Sequence, residues 1–411
     1  MVNNKYPPPL LRAYILLIFI AVYSKITLQK GKEISVQRLH PWLFSGAIKL
    51  KEGFITEGTI VEVYSSGGHY LCTGLYGSGS IAIRVISYEQ VRIDTNFWIG
   101  KIKKAWEYRQ TLGILNSQTN CCRLFFAEGD GVPGLVLDYY DGHVIFQAHN
   151  IGIYQLKGDI VLALQNVLGN ALKSIFDKSA DTLGKHAKEK STNGFLYGES
   201  GAVEVIENGI KLEVDFVNGQ KTGFFLDQRV NREILMKYAK GRKVLNTFSY
   251  TGGFSIYAAK AGATLVHSVD VSTSAIDICN QNASLNQLNN HEAFVADTFD
   301  FLKDKQGVYD CIILDPPAFT KSRDTRHQAV IGYKRLNALA MKMIQPGGIV
   351  FTFSCSGVVD KFLFYNTVAA AAMESGRDVK ILAYLNQPPD HPVTPFFPEG
   401  EYLKGMILYI R

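Results

Sequence analysis

Cys355 is the residue in this chain best placed to do covalent chemistry. It follows the apolar run Phe351-Thr352-Phe353 and is flanked by Ser354, Ser356 and Gly357. Where a strand runs out into small residues, a thiolate can reach a ligand as a nucleophile. Inside an apolar strand a free cysteine otherwise behaves as a small hydrophobe. Cys72, Cys121, Cys122, Cys279 and Cys311 follow no such strand end and read as structural, and no pair has the CxxC spacing of a zinc site, so no metal is expected. A second chemically equipped strand end is Leu314-Asp315-Pro316-Pro317-Ala318-Phe319. Its two prolines remove backbone donors and fix an extended turn, so Asp315 stands clear of any helix ladder. An acid, a rigid turn and an aromatic suit gripping a planar base, which makes Asp315, Pro316, Pro317 and Phe319 candidates for contacting one.

A third strand end, Asn246-Thr247-Phe248-Ser249-Tyr250-Thr251-Gly252-Gly253-Phe254, opens into a helix. Gly252 and Gly253 let backbone approach a ligand at a helix amino terminus. Asp270, about 20 residues further on, sits where an acid accepts hydrogen bonds from a ribose. Together these describe an adenosine site. There is no third glycine at the next helical turn, which disfavours a dinucleotide and with it an oxidoreductase. Asp297 either holds an adenine amino group or caps the helix from Thr298 to Leu302. Lys321, Arg323, Arg326, Lys334 and Arg335 crowd the stretch behind Asp315 and are either phosphate contacts or a solvated face.

The elements that must position these groups alternate regularly. Apolar runs at Lys243 to Phe248, Leu265 to Val269, Ala293 to Val295, Tyr309 to Leu314 and Ile349 to Phe353 read as strands. Helical patterns at Gly253 to Ala261, Ser274 to Leu285 and Gln328 to Ile344 fall between them. Such alternation predicts a doubly wound parallel sheet with ligands at the carboxyl ends of its strands. Upstream, residues 26–95 alternate short apolar runs with Gly and Ser turns, a small β-rich domain. Residues 97–118 switch to helical spacing, Cys122 to Asp177 form an α+β module, and Asp177 to Gly201 reads as an exposed loop. The resulting division is an extension at 1–22, a β domain at 23–95, an α+β domain and linker at 96–200, and the α/β domain at 201–411.

The chain is 47% hydrophobic and 19% charged, which excludes disorder and low complexity. A formal charge of +6 permits an anionic partner without announcing one. The apolar run Ala13 to Tyr23 is too short to span a bilayer and lacks a good cleavage site, so the expectation is a cytoplasmic protein without a membrane partner.

Arg38 to Gly46, Lys221 to Arg229, Phe248 to Phe254, Asp315-Pro316-Pro317, Phe353 to Gly357 and Asp390 to Val393 are long motifs in a fixed order. On them, residues from about Ile26 to Arg411 resemble the bacterial 23S ribosomal RNA cytosine-5 methyltransferases of the large subunit methyltransferase I type. The resemblance implies an N-terminal PUA-like domain, a central α+β domain and a Rossmann-type class I methyltransferase domain with a final antiparallel hairpin near Tyr402 to Ile410. It implies S-adenosyl-L-methionine as cofactor, with Phe225, Gln228 and Arg229 bordering the methionine end, Asp270 at the ribose and Asp297 at the adenine. Asn246, Phe248, Tyr250, Gly252, Gly253 and Asp315 complete that site. It implies 5-methylcytidine formation in 23S ribosomal RNA through a covalent Cys355 adduct assisted by Asp315, with Pro316, Pro317, Phe319, Lys321 and Arg323 against the RNA; a homodimer is left open. Ala318 follows the prolines where many RNA relatives keep a second cysteine, so the base that removes the C5 proton is unassigned. Two other readings stand beside this one. Methylation of an exocyclic amino group leaves Cys355 unused, and a noncatalytic RNA-binding protein leaves the cofactor motifs unused.

Overall fold

Cys311–Leu314 and Gly348–Ser354 are buried along their whole length, the pattern of strands covered on both faces. They lie at the centre of a seven-stranded sheet, seen in a computed structural model that describes residues 23–183, 191–320, 322 and 324–411. The extension before Tyr23, and Lys321 and Arg323, fall outside the described residues. The strands are β1 Lys243–Thr247, β2 Leu265–Asp270, β3 His291–Val295, β4 Cys311–Leu314, β5 Gly348–Ser354, β6 Val379–Leu385 and β7 Lys404–Ile410, in the order β3-β2-β1-β4-β5-β7-β6. β1 to β5 pair in parallel, and β7 runs antiparallel to both of its neighbours. The order reverses between β1 and β4, and the crevice beyond that switch point is where such sheets bind ligands.

Strand alternation divides the core into two layers. Ile312, Leu314 and Val350 face Leu302, Tyr333, Leu336 and Phe364. Cys311, Ile313, Ile349 and Phe351 face Leu235, Ala239, Phe254 and Ala258. The helices that supply these residues are α1 Arg229–Ala239, α2 Gly253–Lys260, α3 Thr273–Leu285, α4 Thr298–Lys303, α5 Arg326–Met343 and α6 Lys361–Ser375. Ser272, Asp297 and Asp360 cap α3, α4 and α6 by accepting from the first free N–H groups.

Ahead of this domain stand two more sheets and a hairpin. Six strands between Ser24 and Ser87 form a mixed sheet around Ile26, Leu43, Val61, Val63 and Ile83. Five strands between Cys121 and Tyr197 form the second, against which the helix Thr95–Thr111 lays Trp98, Ile102, Ala105 and Arg109. The hairpin Val203–Glu207 and Ile210–Val214 turns at Asn208-Gly209, both at positive φ as a two-residue hairpin turn requires.

One expectation needs correcting. The stretch from Asp177 to Gly201 contains a strand, Gly194–Tyr197, paired antiparallel with Ser174–Asp177. Four residues on a sheet edge are too short to show a period. The final antiparallel hairpin is present: its first strand is β6, whose residues are mostly exposed or half-buried, and its second, β7, slots between β5 and β6. Among the described residues no helix is long and apolar enough to cross a membrane.

Candidate active site

The turn from β1 into α2 is bent by backbone that ordinary residues avoid. Phe248 and Tyr250 lie at φ 53° and 47°, and Gly252, the residue before α2, at φ 83°. The peptide N–H of Tyr250 donates to Asp270 Oδ2 at 2.8 Å, and its hydroxyl donates to the Gly223 carbonyl at 3.1 Å. The end of β2 and the 220–223 turn thus hold the loop in its strained form. A Cβ on Gly252 would stand 2.3 Å from Cys279 Sγ, which is itself buried. Gly252→Ala therefore combines strain with overlap. It is expected to destabilise the protein by about 1–3 kcal/mol and to weaken cofactor binding, read by thermal melting and calorimetry.

Beyond the ends of β1, β2, β4 and β5 lies a cavity of ≈ 220 Å³. Asp315 enters it from β4 and Cys355 from β5, with Pro316 and Pro317 forming the wall between solvent and sheet. Gln228 Nε2 donates to Asp315 Oδ2 at 3.0 Å, and Gln228 is in turn fixed by Asn231 Nδ2 at 2.6 Å. Burial, aided by the charge of Asp227, pushes the Asp315 carboxyl up to about 7, against the opposing bond from Gln228. Burial and the charges of Asp315 and Asp227 push the Cys355 thiol up to about 11, while Lys404 opposes them. Lys404 is buried and donates to the Ser356 carbonyl at 2.6 Å, so its ammonium stands where a thiolate on Cys355 would be stabilised.

The raised Asp315 carboxyl has a stability consequence. A carboxyl whose folded value lies above its unfolded value near 4 favours the folded state while protonated, and that contribution is lost as pH rises through about 7. Asp315 keeps some solvent contact through the cavity mouth, which moderates the effect. Asp315→Asn is expected to be more stable than the parent at pH 8, by about 1–2 kcal/mol, with a smaller gain at pH 5 and none below about pH 4.

Phe225, Gln228, Phe248, Tyr250, Gly253, Asp270, Asp315, Pro316, Pro317 and Cys355 all line this one cavity. The remaining expected residues among those described do not. Asp297 spends Oδ1 on the N–H groups of Phe299 and Asp300 and is exposed, so capping α4 is the role the structure shows. Asn246 lies beneath the turn, donating to Ser255 Oγ at 2.9 Å. Gly252 shapes the turn without facing the cavity. Phe319 packs edge-on against Tyr333, with ring centres 4.7 Å apart, in space left by Gly332. Lys334 pairs with Glu374 at 2.9 Å, and Arg335 lies over the Phe299 ring.

Arg229 departs furthest from expectation. Its guanidinium turns away from the cavity into a buried ion network, meeting Glu207 Oε2 at 3.3 Å and Asp390 Oδ2 at 2.7 Å. Arg232 donates through Nε and Nη2 to Glu207, each at 2.8 Å, and through Nη1 to the Phe225 carbonyl at 2.9 Å. Burial alone would raise the Asp390 carboxyl, but Arg229 and His391 hold it well below the usual carboxylate range. The sequence reading missed Asp227, Ser249, Thr251, Arg232 and Lys404. Asp227 and Arg232 stand one and three residues from positions already chosen, and Ser249 and Thr251 lie inside a motif already quoted.

Ser249 Oγ and Thr251 Oγ1 are buried without a partner, and both residues line the cavity beside Asp270. Free acceptors next to a carboxylate fit the hydroxyls and amino groups of S-adenosylmethionine. A family model for S-adenosylmethionine-dependent methyltransferases matches residues 178–398, and one for PUA-like domains matches residues 26–88. A protein of Streptococcus mutans described as a SAM-dependent methyltransferase superposes with a TM-score of 0.80 at 25% identity, over 94% of this chain and 99% of that one. A methyltransferase complexed with SAH gives 0.81 at the same identity and coverage. Fold and cavity thus define a Rossmann-type methyltransferase that uses S-adenosylmethionine, preceded by a PUA-like domain. The ribosomal RNA large subunit methyltransferase I of Aeromonas hydrophila is 41% identical over 398 residues, covering 94% of this chain and 100% of that protein. Its counterpart in Aeromonas salmonicida is 40% identical over 395 residues, covering 94% and 99%. This chain belongs to the ribosomal RNA large subunit methyltransferase I family.

Proposed function

We propose that the protein forms 5-methylcytidine in 23S ribosomal RNA, in the cytoplasm where ribosomes are assembled. The observation that carries the reading is that Cys355 and Asp315 meet in the cavity that receives the methyl donor. C5 of cytosine is too electron-poor to attack a methyl group unaided, and addition of a nucleophile at C6 supplies the missing density. Cys355 Sγ forms a bond to C6 as Asp315, in the protonated form that its raised value keeps populated near pH 7, passes its proton to N3; the thiol proton replaces it on Asp315. Lys404 lowers the energy of the sulfur as it gains charge. S-adenosylmethionine supplies a sulfonium-activated methyl group for C5. The Pro316-Pro317 turn excludes water from one side, and the target nucleotide must leave its stack to reach the cavity. The PUA-like domain is the second RNA contact on this reading, and Lys321 and Arg323 remain proposed phosphate contacts. An amino methyltransferase would have no use for a cysteine in the field of a buried lysine.

Nucleoside mass spectrometry of ribosomal RNA from a strain lacking the gene tests this reading. The expected result is loss of one 5-methylcytidine from 23S RNA and its restoration by the intact gene. An unchanged 5-methylcytidine content, or loss of a methylated amino group instead, would overturn it.

A further inference from the structure

One carboxylate in the cavity has no part in the steps above. Asp227 lies in the short turn Leu226–Gln228 that leads into α1, and Phe225 and Gln228 on either side of it line the same cavity. Its Oδ2 accepts a hydrogen bond from the Tyr402 hydroxyl at 2.6 Å, while Oδ1 is buried with no partner. Tyr402 stands two residues before Lys404, so the segment that secures the Cys355 loop also orients this carboxylate. Leaving a buried acceptor unpaired costs about 1–3 kcal/mol, and such atoms persist where a ligand or a reaction uses them. The charge of Asp227 is felt by both Asp315 and Cys355, which places it at the reacting end of the cavity. Tyr250, beside Asp270 at the other end, feels Asp215 and Asp270 instead.

The geometry points to Asp227 as the catalytic base that removes the C5 proton, an assignment that rests on the covalent reading above. Once the methyl group is on C5, the C5–H bond breaks and its proton goes to Asp227 Oδ1. The electron pair left behind forms the C5=C6 double bond, and the C6–S bond breaks with its electrons leaving on Cys355. Asp315 then returns to that thiolate the proton it took from the thiol as N3 gives its own back to Asp315, and the proton on Asp227 leaves to water, so all three groups are restored and one proton is released overall. Asp315 is not free for this task, since one oxygen is held by Gln228 and the group faces N3, across the C4 amino group from C5. Cys355 is the leaving group in the same step.

Asp227→Asn tests the assignment with unmodified substrate RNA and methyl-labelled S-adenosylmethionine. The expected result is turnover lower by about 10²–10⁴-fold, unchanged methyl-donor affinity in calorimetry, and labelled methyl migrating with the protein–RNA adduct on a denaturing gel. A melting curve is run beside it. If the asparagine variant does not fold, Tyr402→Phe, which loosens the carboxylate without removing it, is expected to show partial accumulation of the same adduct. Three results would overturn the assignment: turnover equal to the parent, loss of methyl-donor binding without an adduct, or inactivity with intact binding and no adduct. Failure of the underlying reading is seen separately, as a parent enzyme that gives no adduct with RNA carrying 5-fluorocytosine.

Discussion

Cys355→Ala abolishes methylation, by about 10³-fold or more, and leaves S-adenosylmethionine binding intact. The loss follows because removal of a nucleophile eliminates the only route that makes C5 reactive, and effects of that size are usual for members of a covalent catalytic unit. Binding survives because the groups about the donor come from other strand ends, Asp270 from β2 and the strained turn from β1. With RNA carrying 5-fluorocytosine at the target, the parent is trapped as a covalent complex, since fluorine cannot leave as a proton does. A denaturing gel of both proteins reads this directly. A parent that methylates ordinary RNA yet gives no complex, beside an active alanine variant, would remove the covalent mechanism and promote methylation of nitrogen.

Glu207→Ala destabilises the protein by about 3–5 kcal/mol, the usual result of breaking a fully buried ion pair from one side. Glu207 is entirely inaccessible and takes bonds from Arg229, Arg232 and the Tyr257 hydroxyl, so its loss leaves two guanidinium groups short of charge in the interior. Thermal melting measures the effect, and a shift under about 1 kcal/mol would show the network to be solvated. Methyl-donor affinity falls with it, because Arg232 also fixes the Phe225 carbonyl at the cavity wall. The same network predicts acid lability. With the Asp390 carboxyl held low, its contribution is full above about pH 4 and is lost as pH falls below it.

The sheet was legible in the sequence because parallel strands covered on both faces are unbroken apolar runs, as at Cys311–Leu314. The cavity was legible because its groups follow those runs directly: Asp270, Asp315 and Cys355 each stand where a strand ends. Nearness in sequence to a cavity residue misled for Arg229, which the resemblance had placed at the methionine end. Arg229 neighbours Gln228, but the rotation from one residue to the next points it at Glu207 and Asp390, charges that arrive from residues distant in the chain. Phe319, expected to stack on the base, packs its ring edge-on with Tyr333 in the space left by Gly332 while remaining partly exposed. Asp227 escaped notice since its value lies in what it lacks, a partner for one oxygen, and no pattern of residue types records that.

β7 follows every other strand of its sheet in the sequence, yet its place is in the interior. It separates β5 from β6 and pairs with both. Until β7 is made, β5 therefore waits with an open edge, and β6 has nothing to join. Lys404 belongs to that strand and Tyr402 shortly precedes it, so the bonds to the Ser356 carbonyl and to Asp227 arrive together with the closing of the sheet. A nascent chain that has not yet reached Tyr402 holds the other six strands but neither a closed sheet nor a secured Cys355 loop. Assembly of the cavity is thus tied to the latest pairing step of the sheet.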